Sequence, residues 1–303
     1  MDGILPLWKE KGMTSHDCVF KVRKMLQTKK VGHTGTLDPE VEGVLPLCIG
    51  EATKIVPFLT DTSKTYRATA LLGYSTDTED QTGIKKEETP IQSAFSPEEI
   101  KKELKSFEGE TTQQVPLYSA VKVNGKKLYE YARANEPVTR PFRQIQIHNI
   151  RFLSTTYDKV NKTQRIDFDV SCSKGTYIRT LCLDIGKALG YPAHMSALVR
   201  TATGDFYEND TITLNQLQDI IDREQSIPLL DIDQGLPHLD SLDVDNETMR
   251  KVSYGQKLPL PNPIPKTKFF RILFQKQVIA IYQMHDNRQE IKPARVFRFD
   301  DRK

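Results

Sequence analysis

Cysteine is scarce in this chain of 303 residues, and its few cysteines are widely spaced. The four are Cys18, Cys48, Cys172 and Cys182, and no two of them form a Cys-x-x-Cys pair. This spacing argues against a zinc site and against a disulfide framework, and it favours free thiols in a reducing cytosol. No metal is expected, and the six histidines show no spacing typical of metal ligands.

Long apolar runs are also missing. No stretch reaches the roughly 18 apolar residues that a membrane span needs, and the N-terminus lacks the basic and then apolar pattern of a signal peptide. We therefore expect a cytoplasmic protein that does not enter a membrane. With 38% hydrophobic and 27% charged residues, the composition is that of a globular protein, long enough for one large domain and a small one.

The usual nucleotide-binding loops are absent as well. The pattern G-x-x-x-x-G-K-[ST] does not occur, and "GHTGT" at residues 32–36 does not match G-x-G-x-x-G. No internal repeat is evident. The sequence therefore predicts no nucleotide cofactor, and no other cofactor is indicated.

Positive charge is only mildly in excess, with a net charge of +3. It is concentrated in two regions, which comprise Lys21, Arg23, Lys24, Lys29 and Lys30, and then Lys122, Lys126, Lys127, Arg133, Arg140 and Arg143. Such regions bind polyanions in some proteins, and in others they are solvated surfaces. Charge alone leaves both interpretations open.

Local patterns predict an α+β protein. Helices are expected from a cap at Thr14 or Ser15 to about Gln27, near 51–60, after the capping box at Ser96, and over 176–190. Strands are expected near 3–8, 65–74, 145–156, 164–172, 268–274 and 278–284. Asn124-Gly125 predicts a turn. The proline-rich "LPLPNPIPK" at 258–266 lies in a tail that we expect to form a separate small β module over 241–303, after a domain over 1–240.

A glycine-rich loop, "GHTGTLDPEVEGVLPLCIG" at 32–50, presents Asp38 directly before Pro39. Asp before Pro favours a turn, so a purely structural role is one interpretation. Glu40 and Glu42 lie nearby, but carboxylates so close along one loop rarely straddle a sugar as those of a glycosidase do.

Six stretches, taken together and in this order, resemble the bacterial tRNA pseudouridine-55 synthases of the TruB family. They are "KEKGMTSHD" (9–17), "GHTGTLDPEVEGVLPLCIGEATK" (32–54), "KTYRATALLGYSTDTED" (64–80), "QQVPLYSAVKVNGKKLYEYAR" (113–133), "CSKGTYIRTLCLDIGKALG" (172–190) and "AHMSALVRTATGDF" (193–206). The tail resembles the family's short RNA-binding module. Glu10 and Val115 depart from the family pattern. We expect these two positions to support local loop geometry and not to take part in the chemistry. The resemblance implies a pseudouridine synthase fold, with a mixed, mainly antiparallel β-sheet flanked by helices and a PUA-like C-terminal β module.

The implied reaction is isomerisation of uridine 55 in the T-loop of tRNA, without cofactor or metal. The resemblance assigns Asp38 the role of nucleophile or base, and whether it attacks the sugar, attacks the base or removes a sugar proton stays open. It further implies that Arg179 forms an ion pair with Asp38, that Tyr66 stacks on the target uracil, and that Leu198 forms an apolar wall.

The target base must leave the RNA stack before chemistry, and the resemblance assigns His33 to this step. RNA affinity is expected to come mainly from phosphate contacts by Lys9, Lys29, Lys30, Lys122, Lys126, Lys127, Arg133 and Arg200. Residues from about 109 to 145 resemble the family's insertion that folds over the RNA stem-loop, and we predict that it is mobile in the free protein. The expected partner is the T-arm of tRNA, bound by a monomer.

Three other functions are compatible with part of this pattern. An RNA chaperone of the same fold would bind tRNA without isomerising it. A member of the guide-RNA-dependent branch would work inside a multiprotein particle, although the insertion and short tail favour the stand-alone form. A glycosidase for free nucleosides would need neither the basic insertion nor the tail.

Overall fold

A computed structural model describes residues 1–298, so the last five residues of the predicted C-terminal module lie outside the described part. The α-helices are α1 (Ser15–Met25), α2 (Val56–Thr60), α3 (Pro97–Ser106), α4 (Leu128–Arg133), α5 (Ile178–Ala188), α6 (Leu214–Asp222) and α7 (Asn246–Ser253). None of the helices within residues 1–298 is long and apolar enough to span a membrane.

The strands that precede residue 240 are β1 (Gly3–Lys9), β2 (Val31–His33), β3 (Glu42–Ile49), β4 (Lys64–Leu72), β5 (Tyr74–Thr76), β6 (Lys85–Glu88), β7 (Gly109–Gln114), β8 (Lys122–Val123), β9 (Lys126–Lys127), β10 (Phe142–Asp158), β11 (Thr163–Cys172), β12 (Ala193–Thr203) and β13 (Phe206–Tyr207). The strands after it are β14 (Ser241–Asp243), β15 (Leu258–Pro259), β16 (Phe269–Phe274), β17 (Gln277–Met284) and β18 (Glu290–Val296).

The main sheet has the order β1-β3-β12-β4-β11-β10-β7, with β2 beside β3 and β13 beside β12. Its pairings are antiparallel except that β12 runs parallel to β3. Strand β4 lies at its centre between β12 and β11, and β12 also pairs with β3, so the loop between β2 and β3 lies close to β4. This agrees with the mixed, mainly antiparallel sheet that the sequence predicts.

Helices cover one face of this sheet because their apolar sides need burial. Val19 and Val22 of α1, Ile100 of α3 and Leu181 and Ile185 of α5 join the strand residues in one core. Within residues 1–298, all four cysteines are buried and unpaired.

The five strands after residue 240 form a second sheet of order β14-β16-β17-β18-β15, with a core of its own. It packs against the main body near α2, where the rings of Phe58 and Phe269 meet edge to face at 5.0 Å. Arg271 binds Asp233 across the same junction at 2.6 Å. The predicted C-terminal β module is therefore present, while the division at residue 240 stays a prediction.

Most of the local predictions are confirmed. Thr14 and Ser96 form the capping boxes of α1 and α3. Asn124 and Gly125, both with positive φ, form the turn between β8 and β9. The helix expected near 51–60 is instead a 3-10 helix over Gly50–Ile55 followed by the short α2, which begins beside Pro57.

Candidate active site

A cavity of about 860 Å³ opens where the Asp38 loop, β4, β12 and the start of α5 meet. Five of the residues singled out in the sequence line it, namely Asp38, Tyr66, Arg179, Leu198 and Arg200. They lie far apart in the chain, and the sheet order brings them together.

The Asp38 loop is held in place from below by Lys9. The Lys9 ammonium is buried and donates to the carbonyl oxygens of Val41 at 2.6 Å and of Pro39 and Glu10 at 3.1 Å each. Burial lowers the pKa of Lys9, and the nearby Asp38 carboxylate partly opposes that effect. The loop's geometry thus depends on one enclosed cation.

Backbone contacts complete the loop. Its Leu37 amide donates to the Ser15 hydroxyl at 2.9 Å, and the Val41 amide donates to the carbonyl of Asp38 at 3.0 Å. With this support the Asp38 side chain stays 47% exposed while it lines the cavity. A carboxylate on a rigid loop, open to solvent on one side, can approach a bound ligand without being buried first.

Arg179, in the first turn of α5, is nearly buried and lies against Asp38. Its Nη2 is 3.4 Å from Asp38 Oδ2, and its Nη1 is 3.8 Å from Asp80 Oδ2. The same guanidinium donates to the carbonyls of Thr78 at 3.2 Å and Tyr118 at 3.0 Å. A planar group with five donors can make all four contacts at once, and an ammonium cannot.

Tyr66 and Arg200 form the floor of the cavity. They face each other in the register of β4 and β12, and the guanidinium of Arg200 is buried, donating to the carbonyls of Val44 at 2.8 Å and Gly35 at 3.2 Å. Burial raises the pKa of Tyr66, which the neighbouring Arg200 cation opposes; burial likewise lowers the pKa of Arg200. Within residues 1–298, no carboxylate lies within ion-pair distance of Arg200. No acid therefore neutralises the positive charge of Arg200 at the cavity floor.

Gly43 permits the close approach of β3 to β12 at this point. Its φ is +130°, and a Cβ at this position would clash with the backbone of Arg200. Only glycine avoids both the strain and the clash, so the glycine-rich motif has a packing function besides the loop it forms.

Two of the predicted phosphate ligands, Lys9 and Arg200, are enclosed by the fold. Lys9 is fully buried and Arg200 is only 1% exposed, and the donors of both are bound to backbone carbonyls. Arg200 nevertheless lines the cavity, and contacts of either residue with RNA phosphates stay a prediction. Lysine and arginine are rarely buried, so the sequence gives no sign that these two side chains are enclosed.

Two further predicted binding residues, Lys122 and His33, lie outside the cavity lining. Lys122 is exposed on the β8–β9 hairpin of the insertion. His33 ends β2, its Nδ1 is buried without a partner, and burial together with the Arg200 cation lowers its pKa. Their roles toward RNA stay predictions.

Sequence reasoning missed several residues of the site. The sequence predicts no role for Thr78 and Asp80, although both contact Arg179. Tyr118 and Tyr129 of the insertion and Lys64 of β4 also line the cavity. No local sequence pattern marks these residues as part of a site. Burial lowers the pKa of Lys64 to about 8. Within residues 1–298, no group of three or more His, Cys, Asp or Glu side chains could hold a metal ion.

Chemically, the cavity combines one half-exposed carboxylate, an arginine beside it, an aromatic ring and the apolar side chain of Leu198. A planar ring could lie against Tyr66 and Leu198 with its edge toward Asp38. This set suits covalent or base catalysis by a carboxylate on a flat heterocycle.

The comparison with known proteins agrees with this arrangement. Residues 23–178 match the N-terminal domain of the TruB family pseudouridylate synthases, and residues 179–238 match the tRNA pseudouridylate synthase B C-terminal domain. The chain is 54% identical over 306 residues to the tRNA pseudouridine synthase B of Oceanobacillus iheyensis, with all of both chains covered. It is 50% identical to the protein of the same name from Bacillus pumilus, with 99% of each covered.

Among solved structures, a chain from an H/ACA RNP bound to a substrate RNA containing 2′-deoxyuridine superposes with a TM-score of 0.74. The two are 25% identical, and the alignment covers 99% of this chain and 86% of the other. The fold is thus that of the pseudouridine synthases, as the sequence resemblance implies. By full-length identity and by domain match, this chain belongs to the TruB family of pseudouridylate synthases.

Proposed function

We propose that this protein isomerises uridine 55 in the T-loop of tRNA to pseudouridine, as a stand-alone enzyme without a cofactor. The observation that carries the proposal is the contact between Asp38 and Arg179 in a cavity that also contains Tyr66 and Leu198. The tRNA substrate is extended to this chain from the name that its relatives share. We expect it to act in the cytoplasm as a monomer.

In this reaction the bond between N1 of the uracil and C1′ of the ribose breaks, the uracil turns, C5 bonds to C1′ and loses its proton, and N1 takes up a proton from solvent. Product and substrate are isomers, so no electron or group donor is consumed. Asp38 acts as nucleophile or base, and the Arg179 guanidinium lies beside its carboxylate. The three ways in which a carboxylate could begin the reaction all need the same position beside the sugar–base junction.

A uracil in this cavity would stack on Tyr66 and contact Leu198. Stacking of a base on an aromatic ring contributes about 1–3 kcal/mol. That energy offsets part of the few kcal/mol that extrusion of the base from the RNA costs. We assign His33 to filling the space that the base leaves, since it lies on β2 directly before the Asp38 loop.

The insertion over residues 109–145 supplies a surface for the RNA stem. Lys126 lies over the ring of Tyr131 at 4.7 Å, and Arg133 lies over Tyr129 at 5.2 Å. Basic and aromatic side chains interleaved in this way suit phosphates and exposed bases. Because Tyr118 and Tyr129 also line the cavity, RNA bound here would lie next to Asp38. We assign the C-terminal module, which we call PUA-like, a further RNA contact.

The test uses an unmodified tRNA transcript with tritium at C5 of uridine. Wild-type protein should release tritium, and Asp38→Asn and Asp38→Ala should release none while they still bind the tRNA. Binding without release by the wild type would contradict the proposal and indicate an RNA-binding factor. Turnover of free uridine would instead indicate a nucleoside glycosidase.

A further inference from the structure

A buried carboxylate, Glu79, joins the active-site arginine's helix to the base of the insertion. Glu79 is 5% exposed and adopts a positive φ of 66°, which is unusual for a residue with a Cβ. Its Oε2 accepts from the Thr180 hydroxyl at 2.8 Å, and its Oε1 accepts from Arg140 Nη1 at 3.0 Å. Thr180 directly follows Arg179. The strained backbone and the complete pairing of a buried acid both indicate a position that the surrounding structure defines closely.

Arg140 ties together the two ends of the insertion. It lies near the C-terminal end, and its Nη2 donates to the side-chain oxygen of Gln114 at the N-terminal end, at 2.5 Å. Gln113, one residue earlier, makes two hydrogen bonds to the backbone of Tyr177, at 2.7 and 3.0 Å. The N-terminal end of the insertion is therefore attached to Tyr177, two residues before Arg179, and the C-terminal end is attached to Glu79 through Arg140.

The segment that contains Glu79 also contacts Arg179 directly. Thr78 contributes a carbonyl and Asp80 a carboxylate to the guanidinium. The insertion contributes the carbonyl of Tyr118. Any displacement of the insertion base transmitted through Arg140 would therefore move three of the groups that orient Arg179 toward Asp38.

We propose that Glu79 and Arg140 form a latch, and that they are positioning residues that align Arg179 with Asp38 when the insertion lies on RNA. The inference rests on the proposed function and adds to it two residues that need not touch the substrate. Glu79 and Arg140 are 61 residues apart in the sequence, and their ion pair connects the segment around Glu79 to the insertion. Arginine is required because one planar group binds Glu79 and Gln114 together.

The experiment measures the single-turnover rate constant with the protein in saturating excess over tRNA and, separately, the Kd for tRNA. Glu79→Gln and Arg140→Gln should each lower the rate constant about 10- to 100-fold, as small misplacements of catalytic groups do. Their Kd values should stay within about threefold of the wild-type value. The double variant should lose little more than the worse single variant, because each alone breaks the same contact.

Controls separate positioning from folding. Arg151→Gln removes an exposed arginine that binds Asp169 at 2.6 Å, and it should leave the rate constant unchanged. A variant that merely unfolds in part would keep the wild-type rate constant as long as its folded fraction still saturates the tRNA. Arg140→Lys keeps the charge but cannot bind both partners in one plane, so its rate constant should lie between those of Arg140→Gln and the wild type.

Wild-type rate constants in Glu79→Gln and Arg140→Gln, or a loss confined to Kd, would overturn the latch while the proposed function stands. A wild-type protein that forms no pseudouridine would overturn the proposed function and the latch with it. If Arg140→Gln does not fold, Arg140→Lys and the nearly isosteric Glu79→Gln decide the question alone.

Discussion

Arg179 lies between two carboxylates, with Asp38 Oδ2 3.4 Å from one terminal nitrogen and Asp80 Oδ2 3.8 Å from the other. The second oxygen of Asp80 accepts from the hydroxyls of Thr78 and Thr82, at 2.8 and 2.6 Å. Asp80 is therefore itself held in place, and the arginine that faces Asp38 has a defined orientation. Activity should depend on this arrangement more than on the positive charge of the site.

Replacing Asp80 tests that statement. Asp80→Asn keeps the size of the side chain but removes the charge opposite Arg179, so the guanidinium should lose its orientation. We expect the single-turnover rate constant to fall at least about tenfold, with tRNA binding unchanged. Asp243→Asn, at an exposed end of β14, is the matched control and should retain the wild-type rate. A normal rate in Asp80→Asn would mean that Arg179 needs no second carboxylate.

Lys122 and Lys9 should differ sharply in how they affect the salt dependence of tRNA binding. Lys122 is exposed, so Lys122→Gln should raise Kd and make the slope of log Kd against log salt shallower by about one. Lys9 is buried under the Asp38 loop, so Lys9→Gln should leave that slope unchanged and lower the unfolding temperature. Binding measured by filter retention between low and moderate salt decides both. An unchanged slope in Lys122→Gln would remove this lysine from the RNA contacts.

Lys64 should make stability depend on pH in the alkaline range. Its ammonium donates to the carbonyls of Thr60 and Thr62, yet burial lowers its pKa from 10.5 to about 8. The unfolded chain therefore binds more protons than the folded one between these two values, and stability rises with pH there. The destabilisation caused by burying the charged Lys64 ammonium is full below pH 8 and disappears toward pH 10.5.

The measurement is the free energy of unfolding of the wild type minus that of Lys64→Met, by denaturant titration at several pH values. This difference should increase by up to about 3 kcal/mol over the window, since one pKa unit corresponds to about 1.4 kcal/mol. Subtraction of the variant removes the contributions of the other titrating groups. A flat difference would show that the Lys64 pKa is not lowered.

Gly43→Ala should destabilise the protein by several kcal/mol, because the new Cβ would clash with the Arg200 backbone at a φ of +130°. Thermal unfolding provides the measurement. Gly32→Ala is the control, since a Cβ there would meet only Val56 at an ordinary distance of 3.5 Å. Equal unfolding temperatures for the two variants would contradict the close approach of β3 to β12.

Short-range patterns determined much of this protein. The capping boxes at Thr14 and Ser96 and the turn at Asn124-Gly125 follow from side-chain and backbone chemistry within four residues, which is why the sequence predicts them. The motif with Asp38 pointed to the site through its resemblance to a family, whereas its residues alone were also compatible with a plain turn.

Only the tertiary structure decided which charged residues face the cavity, which lie beneath it and which hold it together. Strand β12 lies between β3 and β4 and thereby buries Arg200. Lys9 is buried by a loop 30 residues away, and Glu79 is paired across 61 residues with Arg140. The burial of a charge and the identity of its partner depend on contacts between distant segments, and local sequence patterns do not contain that information.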